Sequence, residues 1–381
     1  MIRIIDISGY IFYNKLIQTQ KETTMNNRYA RQEILPEVTK KGQEKLKNAS
    51  VLCVGAGGLG SPALLYLASA GIGKIGIIDA DEVDESNLQR QVIYTEQDCS
   101  LKKVEQAKLA VINRNSQCKV QTYPYMLNAE NALNIFKEYD VILDGSDNFE
   151  TKFLINDASL KTGKPWVYGA IQGFDGQVSV FNHHNSSCYR CLCPQKPKSL
   201  IKNCAENGVM GPLAGIIGTT QALQAIYIIL NSPTLKPLSG KLWILDTKSM
   251  KSQVVKINKN TDCSSCNSNP KDIKLEFNQT ICFGKKDIKI SEINNQKNYI
   301  FIDIRDQEEL SNGFIKNSIH IPLNQLEFHN FLKDTSKEKP IIVYCQHGMR
   351  GKIALEIMLK KGFKNTYNLE GGFQRYLQQN I

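Results

Sequence analysis

Six residues, Gly-Ala-Gly-Gly-Leu-Gly at positions 55–60, stand between an apolar run at 51–54 and a segment with helical character that continues through Ala70. A second apolar run follows at 75–79. The order strand, glycine turn, helix, strand is the start of a parallel α/β sheet. Gly55, Gly57 and Gly60 form the GxGxxG pattern, with Gly58 inside it. Their small side chains let the backbone approach a phosphate at a helix N-terminus, where unpaired N–H groups and the helix dipole favour anions. Asp79 ends the second strand about 20 residues on, where an acid can accept hydrogen bonds from ribose hydroxyls. By itself the turn is compatible with NAD, FAD or any adenine nucleotide.

Further apolar runs at 141–143 and 166–168 alternate with helical segments and continue the α/β pattern. Those at 178–181 and 242–245 read as later strands, open to antiparallel pairing, around a helix from Gly215 to Leu230. Residues 25–257 then make one domain, a size single α/β domains reach. Residues 1–24 read as a disordered arm, or as the product of an early start codon ahead of Met25. At 258–278 the composition turns to Asn, Lys, Ser and Asp, and the linker is placed there. A smaller α/β unit occupies 279–381, with strands expected at 299–304, 318–321 and 341–344 and a helix at about 350–360.

The 381 residues carry a net charge of +10 and eleven cysteines. The cations are spread along the chain without a basic tail or interleaved aromatics, so no nucleic-acid partner is expected, and a basic surface suits an acidic protein. No membrane span and no signal peptide are expected. An odd number of cysteines in that setting points to reduced thiols, metal ligands or catalysis in the cytoplasm. Cys188 with Cys191, and Cys263 with Cys266, are two CxxC pairs, the spacing with which a tight turn presents two thiolates to one zinc ion. Random placement would give roughly 0.3 such pairs, although either one alone could be a redox pair. Four thiolates leave no open position for water, so this Zn2+ is expected to be structural.

The remaining polar candidates are Arg31, the segment holding Ser86, Asn87 and Arg90, then Lys103, and Asp147 with Asn148. Taken singly, Arg90 and Lys103 read as solvated helix residues, and an Asp-Asn pair after a strand often just caps the next helix. Taken together with the glycine turn and the CxxC pairs, these segments closely resemble the MoeB and ThiF adenylyltransferases, relatives of the ubiquitin-activating enzymes, from about residue 28 to 266. The resemblance implies an α/β, Rossmann-like adenylation domain with a mostly parallel sheet and a four-cysteine zinc site. It implies that Gly57 and Asp79 touch the phosphates and ribose of ATP, that Asn87, Arg90 and Lys103 hold the polyphosphate, and that Asp147 binds Mg2+. It also implies a homodimer in which Arg31 reaches the neighbouring subunit's ATP. Cys204 aligns with a cysteine on a loop that crosses the active site in relatives, where it captures the activated carrier or resolves an acyl disulfide. An inert buried thiol is its bland alternative.

The last hundred residues resemble a small α/β rhodanese domain, on Phe-Ile-Asp-Ile-Arg at 301–305, the segment 313–322, and Tyr-Cys-Gln-His-Gly-Met-Arg at 344–350. A cysteine between strand and helix sits in a loop whose N–H groups can cradle an anionic persulfide. A thiol of ordinary pKa is only about 3% thiolate at pH 7, so the loop, the helix N-terminus and Arg350 are expected to activate Cys345. No role beyond the shape of the loop is expected of His347, and Phe314 stands where rhodaneses commonly have His.

The combined resemblance implies adenylation of the C-terminal Gly-Gly of a ubiquitin-like sulfur carrier, then sulfur transfer from Cys345. The small subunit of molybdopterin synthase is the first-choice carrier, with thiamine or tRNA-thiolation carriers as alternatives and a cysteine desulfurase as the sulfur source. An NAD oxidoreductase, a stand-alone thiosulfate sulfurtransferase and a non-enzymatic zinc scaffold are the rivals.

Overall fold

The computed structural model describes residues 28–195, 208–275, 286–293, 299–346 and 348–379. The chain divides into two compact units, the first through residue 277 and the second from residue 278. Cys204, His347 and the arm at 1–24 lie outside the described residues.

The first unit is built on an eight-stranded sheet in the order β3-β2-β1-β4-β5-β6-β7-β8. Strands β1 (Ser50–Val54), β2 (Lys74–Ile78), β3 (Lys119–Tyr123), β4 (Val141–Asp144) and β5 (Trp166–Gln172) run parallel. β6 (Asp175–Phe181), β7 (Lys241–Asp246) and β8 (Lys251–Lys256) add an antiparallel wing. Helices α1 (Gly60–Ala70), α2 (Lys103–Arg114), α3 (Phe149–Thr162) and α4 (Gly211–Leu230) cover the sheet. The period-2 alternation of β1 feeds two cores. Val51 and Cys53 join α1 and α4 on one face, while Leu52 and Val54 join Phe153 and Leu154 of α3 on the other. Each such fully buried side chain contributes about 1.5–3 kcal/mol. From β1 the chain runs out to β2 and β3, then returns to β4 on the other side of β1. That reversal opens a crevice at the carboxyl ends of β1 and β4, where ligands bind in such sheets.

Two sequence expectations change in detail. Helix α4 is longer than expected, because Pro212 in its first turn needs no N–H partner and starts it at Gly211. It is the one helix among the described residues long and apolar enough to cross a membrane. It is also a core helix, with Leu213, Ala214, Ile217, Ala222 and Ala225 buried. The segment read as linker, through residue 275, belongs to the first unit. Lys161 at the end of α3 donates to the carbonyls of Pro270, Lys271 and Ile273 at 3.0, 3.0 and 2.8 Å.

The second unit has a parallel five-stranded sheet, β11 (Ile319–His320), β10 (Ile300–Asp303), β12 (Ile341–Tyr344), β13 (Thr366–Leu369) and β9 (Asp287–Ile288) in spatial order. The central strand β12 is buried on both faces. Ile341 and Val343 pack with Ala354, Leu355 and Met358 of α5 (Met349–Lys360), and Ile342 and Tyr344 pack with Phe373 on the opposite face.

Candidate adenylation, zinc and persulfide sites

The glycine turn leaves β1 with Gly55 in the left-handed region at φ +94°. A Cβ there would lie 2.8 Å from the carbonyl oxygen of Gly145, and one on Gly60 would lie 2.1 Å from that of Gly55. These two contacts require glycine. Gly57 and Gly58 are half-buried and line the open side of the turn. Asp79, the first residue after β2, steadies it: its Oδ2 accepts from the Ala56 N–H at 2.8 Å and its Oδ1 from the Asp81 N–H at 2.9 Å. Burial raises the Asp79 pKa, against the opposing pull of the Lys103 ammonium. Tyr94, buried, donates its hydroxyl to Ala56 O at 2.8 Å and also contacts Lys103 O at 3.3 Å, tying the turn to the start of α2.

Lys103 is only 6% exposed, and its Nζ pairs with Asp81 Oδ2 at 3.0 Å. Arg90 packs over Gly58, its Cγ 3.6 Å from where a Cβ would stand, and donates to Ser86 O at 2.9 Å. Ser86 and Asn87 form a 3₁₀ turn capped by Asp84. Asp79, Arg90 and, through Tyr94, Lys103 are therefore brought to the glycine turn, with Asn87 in the 3₁₀ turn that leads into Arg90.

Across the crevice, β4 ends in Asp144, and Asp147 two residues beyond Gly145 is exposed. Asn148 is the N-cap of α3, accepting from the Thr151 N–H at 2.8 Å. The loop has a support that composition did not single out. Asp144 is fully buried, its Oδ1 accepts from Ser146 N–H and its Oδ2 pairs with Lys152 Nζ at 2.7 Å. Lys152 also donates to Ser146 O and Gly169 O, both at 2.9 Å. The eight-residue spacing of 144 and 152 bridges a strand end and a helix, a pairing that no local pattern signals.

Arg31 stands apart. It is exposed on the short helix Ala30–Glu33, whose Gln32 donates to Ala70 O at 3.1 Å, at the C-terminal end of α1. The glycine turn is at the other end of that helix, about 16 Å away at 1.5 Å per residue.

The four CxxC cysteines converge. Cys188 Sγ lies 3.8 Å from Cys191 Sγ and 3.6 Å from Cys263 Sγ, and Cys191 Sγ lies 3.6 Å from Cys266 Sγ. Zinc–sulfur bonds of about 2.3 Å in a tetrahedron put sulfurs about 3.8 Å apart, so the donor set fits Zn2+. Helix α3 supplies the platform. Asn156 accepts from the Tyr189 N–H at 2.8 Å, and Asp157 holds Arg190 at 2.6 and 3.0 Å. Lys161, further along α3, holds residues 270–273, which follow the second pair.

In the second unit Cys345 directly follows β12 and is 2% exposed. Its carbonyl accepts from Phe373 N–H at 2.8 Å, and Gln346 O accepts from Gln374 N–H at 3.0 Å. Both ends of the loop are tied to residues 303–313. Buried Arg305 is clamped by Asp303 at 2.7–3.2 Å and donates to Gln346 Oε1 at 3.0 Å. Arg350 makes a two-bond pair with Glu309, at 2.6 and 2.7 Å. That pairing raises the Arg350 pKa. The cation expected to activate Cys345 is therefore shared with a carboxylate. Phe314 is exposed and leaves the core unaffected.

The sequence matches the ThiF family over residues 29–265 and the rhodanese-like domain over residues 289–379. The chain belongs to the ThiF family. Among curated relatives, "Adenylyltransferase and sulfurtransferase MOCS3" of Drosophila ananassae is 36% identical over 353 residues, 86% of this chain and 78% of the relative. The protein of that name from Culex quinquefasciatus is 34% identical over 93% of this chain and 88% of its own. Both therefore extend across the two units. Of solved structures, E. coli MccB with ATP matches at TM-score 0.57 and 24% identity, over 64% of this chain and 75% of that one. E. coli MccB with MccA-N7isoASN matches at 0.58 and 22%, over 70% and 83%. These two show the fold alone, and they share the ThiF-family unit's Rossmann-type architecture.

Proposed function

We propose that this enzyme adenylates the C-terminal glycine of a ubiquitin-like sulfur carrier and then delivers sulfur to it from a persulfide on Cys345. The observation that carries the reading is the pairing, in one chain, of an assembled nucleotide crevice with a cysteine loop of rhodanese type. The relatives similar across both units bear names with both activities. ATP lies with its phosphates over the glycine turn and its ribose toward Asp79. Mg2+ suits the exposed carboxylate of Asp147, a hard oxygen donor, and supplies charge neutralisation on the phosphates. The carrier's carboxylate attacks the α-phosphate, giving the acyl adenylate and pyrophosphate. Arg90 and Lys103 stabilise the charge that grows on the leaving group. The terminal sulfur of the Cys345 persulfide then attacks the acyl carbon and AMP leaves. A second thiol, assigned to Cys204 or an external dithiol, reduces the resulting acyl disulfide and frees the thiocarboxylate.

The enzyme works as a homodimer in this reading. Arg31 stands near the end of α1 opposite the glycine turn, and α4 leaves Ile216 (38%) and Leu223 (43%) exposed two turns apart on one face, which a second copy would cover. A cysteine desulfurase loads Cys345, the carrier is the small subunit of molybdopterin synthase, and the reaction takes place in the cytoplasm. ATP–pyrophosphate exchange against a panel of Gly-Gly-ending carriers tests the first half. Exchange should require one carrier, vanish in Asp147→Ala and persist in Cys345→Ala. Thiosulfate sulfur transfer without exchange on any carrier would leave only a sulfurtransferase.

A further inference from the structure

Gln91 follows Arg90 in the crevice and is 5% exposed. Its Oε1 is among the few buried side-chain polar atoms with no hydrogen-bond partner in the described residues. The backbone fixes where the side chain can go: Gln91 N–H donates to Asn87 O at 2.9 Å, and Gln91 O accepts from Tyr94 N–H at 3.1 Å. Tyr94 is in turn bonded to the glycine turn through Ala56 O. A Cβ placed on Gly57 would meet a single atom within 4 Å, the Nε2 of Gln91 at 3.6 Å. The carboxamide thus leans over the open side of the turn with its nitrogen foremost.

An amide oxygen left unpaired in a protein interior is destabilising, and an apolar side chain of similar length would remove the penalty. The orientation has a physical reason once charge is considered. A polyanion over Gly57 favours the –NH2 face toward it and repels the carbonyl, which then must point inward. The α1 N-terminus and the Lys103 ammonium already favour an anion there.

We infer that Gln91 is a phosphate-binding residue, donating Nε2–H to an oxygen of the ATP phosphate chain above Gly57. The inference rests on the adenylation reading and adds to it a neutral donor among the cations. A neutral donor orients the chain without strengthening the grip on product pyrophosphate as a further cation would.

The test uses the full chain with a non-hydrolysable ATP analogue plus magnesium, and adenosine as the phosphate-free control. Gln91→Met removes the donor at similar length, and Gln91→Glu keeps the shape while setting a carboxylate against the phosphates. Gln91→Met should keep or raise the thermal midpoint while weakening the analogue about 10- to 100-fold, the loss expected for a hydrogen bond to a charged group. Adenosine affinity should hold. In pyrophosphate exchange the KM for ATP should rise and that for carrier should not. Gln91→Glu should bind the analogue more weakly than Gln91→Met, and it carries the test if the latter does not fold. Analogue binding within about twofold of wild type in both variants overturns the inference. So does a fall in midpoint with equal weakening of adenosine and analogue, the mark of a merely structural residue. Wild-type protein that binds no analogue overturns the adenylation reading itself.

Discussion

Replacing Lys152 by Met isolates the support beneath the Asp147 loop. The Lys152 ammonium pairs with fully buried Asp144 at 2.7 Å and donates to two carbonyls at 2.9 Å. Removing it leaves a carboxylate in the interior without a counter-charge, which costs about 3–5 kcal/mol. For a unit of this size that corresponds to a fall in thermal midpoint of about 6–20 °C. The chain's two tryptophans, Trp166 and Trp243, both lie in the first unit, so tryptophan fluorescence in urea follows that unit alone. Asp144→Asn/Lys152→Met removes both charges and keeps an acceptor for the Ser146 N–H, so it should recover part of the loss. The two carbonyls still lack their donor, and about 1–2 kcal/mol should remain lost. Pyrophosphate exchange should fall in both variants, because Ser146 O loses its tether next to Asp147. A loss below about 1 kcal/mol in Lys152→Met, or a double variant no more stable than the single, refutes the ion-pair argument.

Three other outcomes follow from the same geometry. Purified protein should hold stoichiometric zinc by elemental analysis, and Cys263→Ser or a strong chelator should release it. The first unit then loses much of a binding term on the order of 10 kcal/mol, while the second unit's stability stays as it was. At Glu309, burial pushes the carboxyl up but the Arg350 hydrogen bonds win, so its folded pKa lies below the usual value of 4.5. Its contribution is therefore complete above about pH 4.5 and lost as pH falls through the folded value. Hydrogen exchange across 341–360 should show that acid-side loss in wild type and a flatter profile in Glu309→Gln. Leu223→Lys should yield a monomer by sedimentation and lower exchange about tenfold or more, since each site would lack its neighbour's Arg31. A fully active monomer contradicts the shared-site reading.

The parts visible in the sequence were those written in local chemistry. The glycine turn, the apolar strands β1, β4 and β12 and the two CxxC pairs each have a spacing with one main physical use. Strand β3, Lys-Val-Gln-Thr-Tyr, escaped notice because it is short, polar and at the sheet edge. β8 did too, because all six of its residues are exposed and carry no burial pattern. The Asp144–Lys152 pair, the Glu309–Arg350 pair and the orientation of Gln91 depend on how distant segments meet, and single residues of those types usually read as solvated surface. The second CxxC looked like linker because a zinc site replaces an apolar core there. The thiolates hold the pair itself, while Ile257 and Ile273 on either side are buried and Lys161 ties down residues 270–273.

The central claim is a division of labour between two units of one chain. It is tested most directly by the intact mass of the carrier after incubation with enzyme, ATP, magnesium and a persulfide donor, in wild type, Asp147→Ala and Cys345→Ala. Wild type should convert the carrier to the product with sulfur in place of one terminal oxygen, Asp147→Ala should leave it unmodified, and Cys345→Ala should accumulate the adenylate. Thiocarboxylate formed as fast by Cys345→Ala as by wild type would contradict the account.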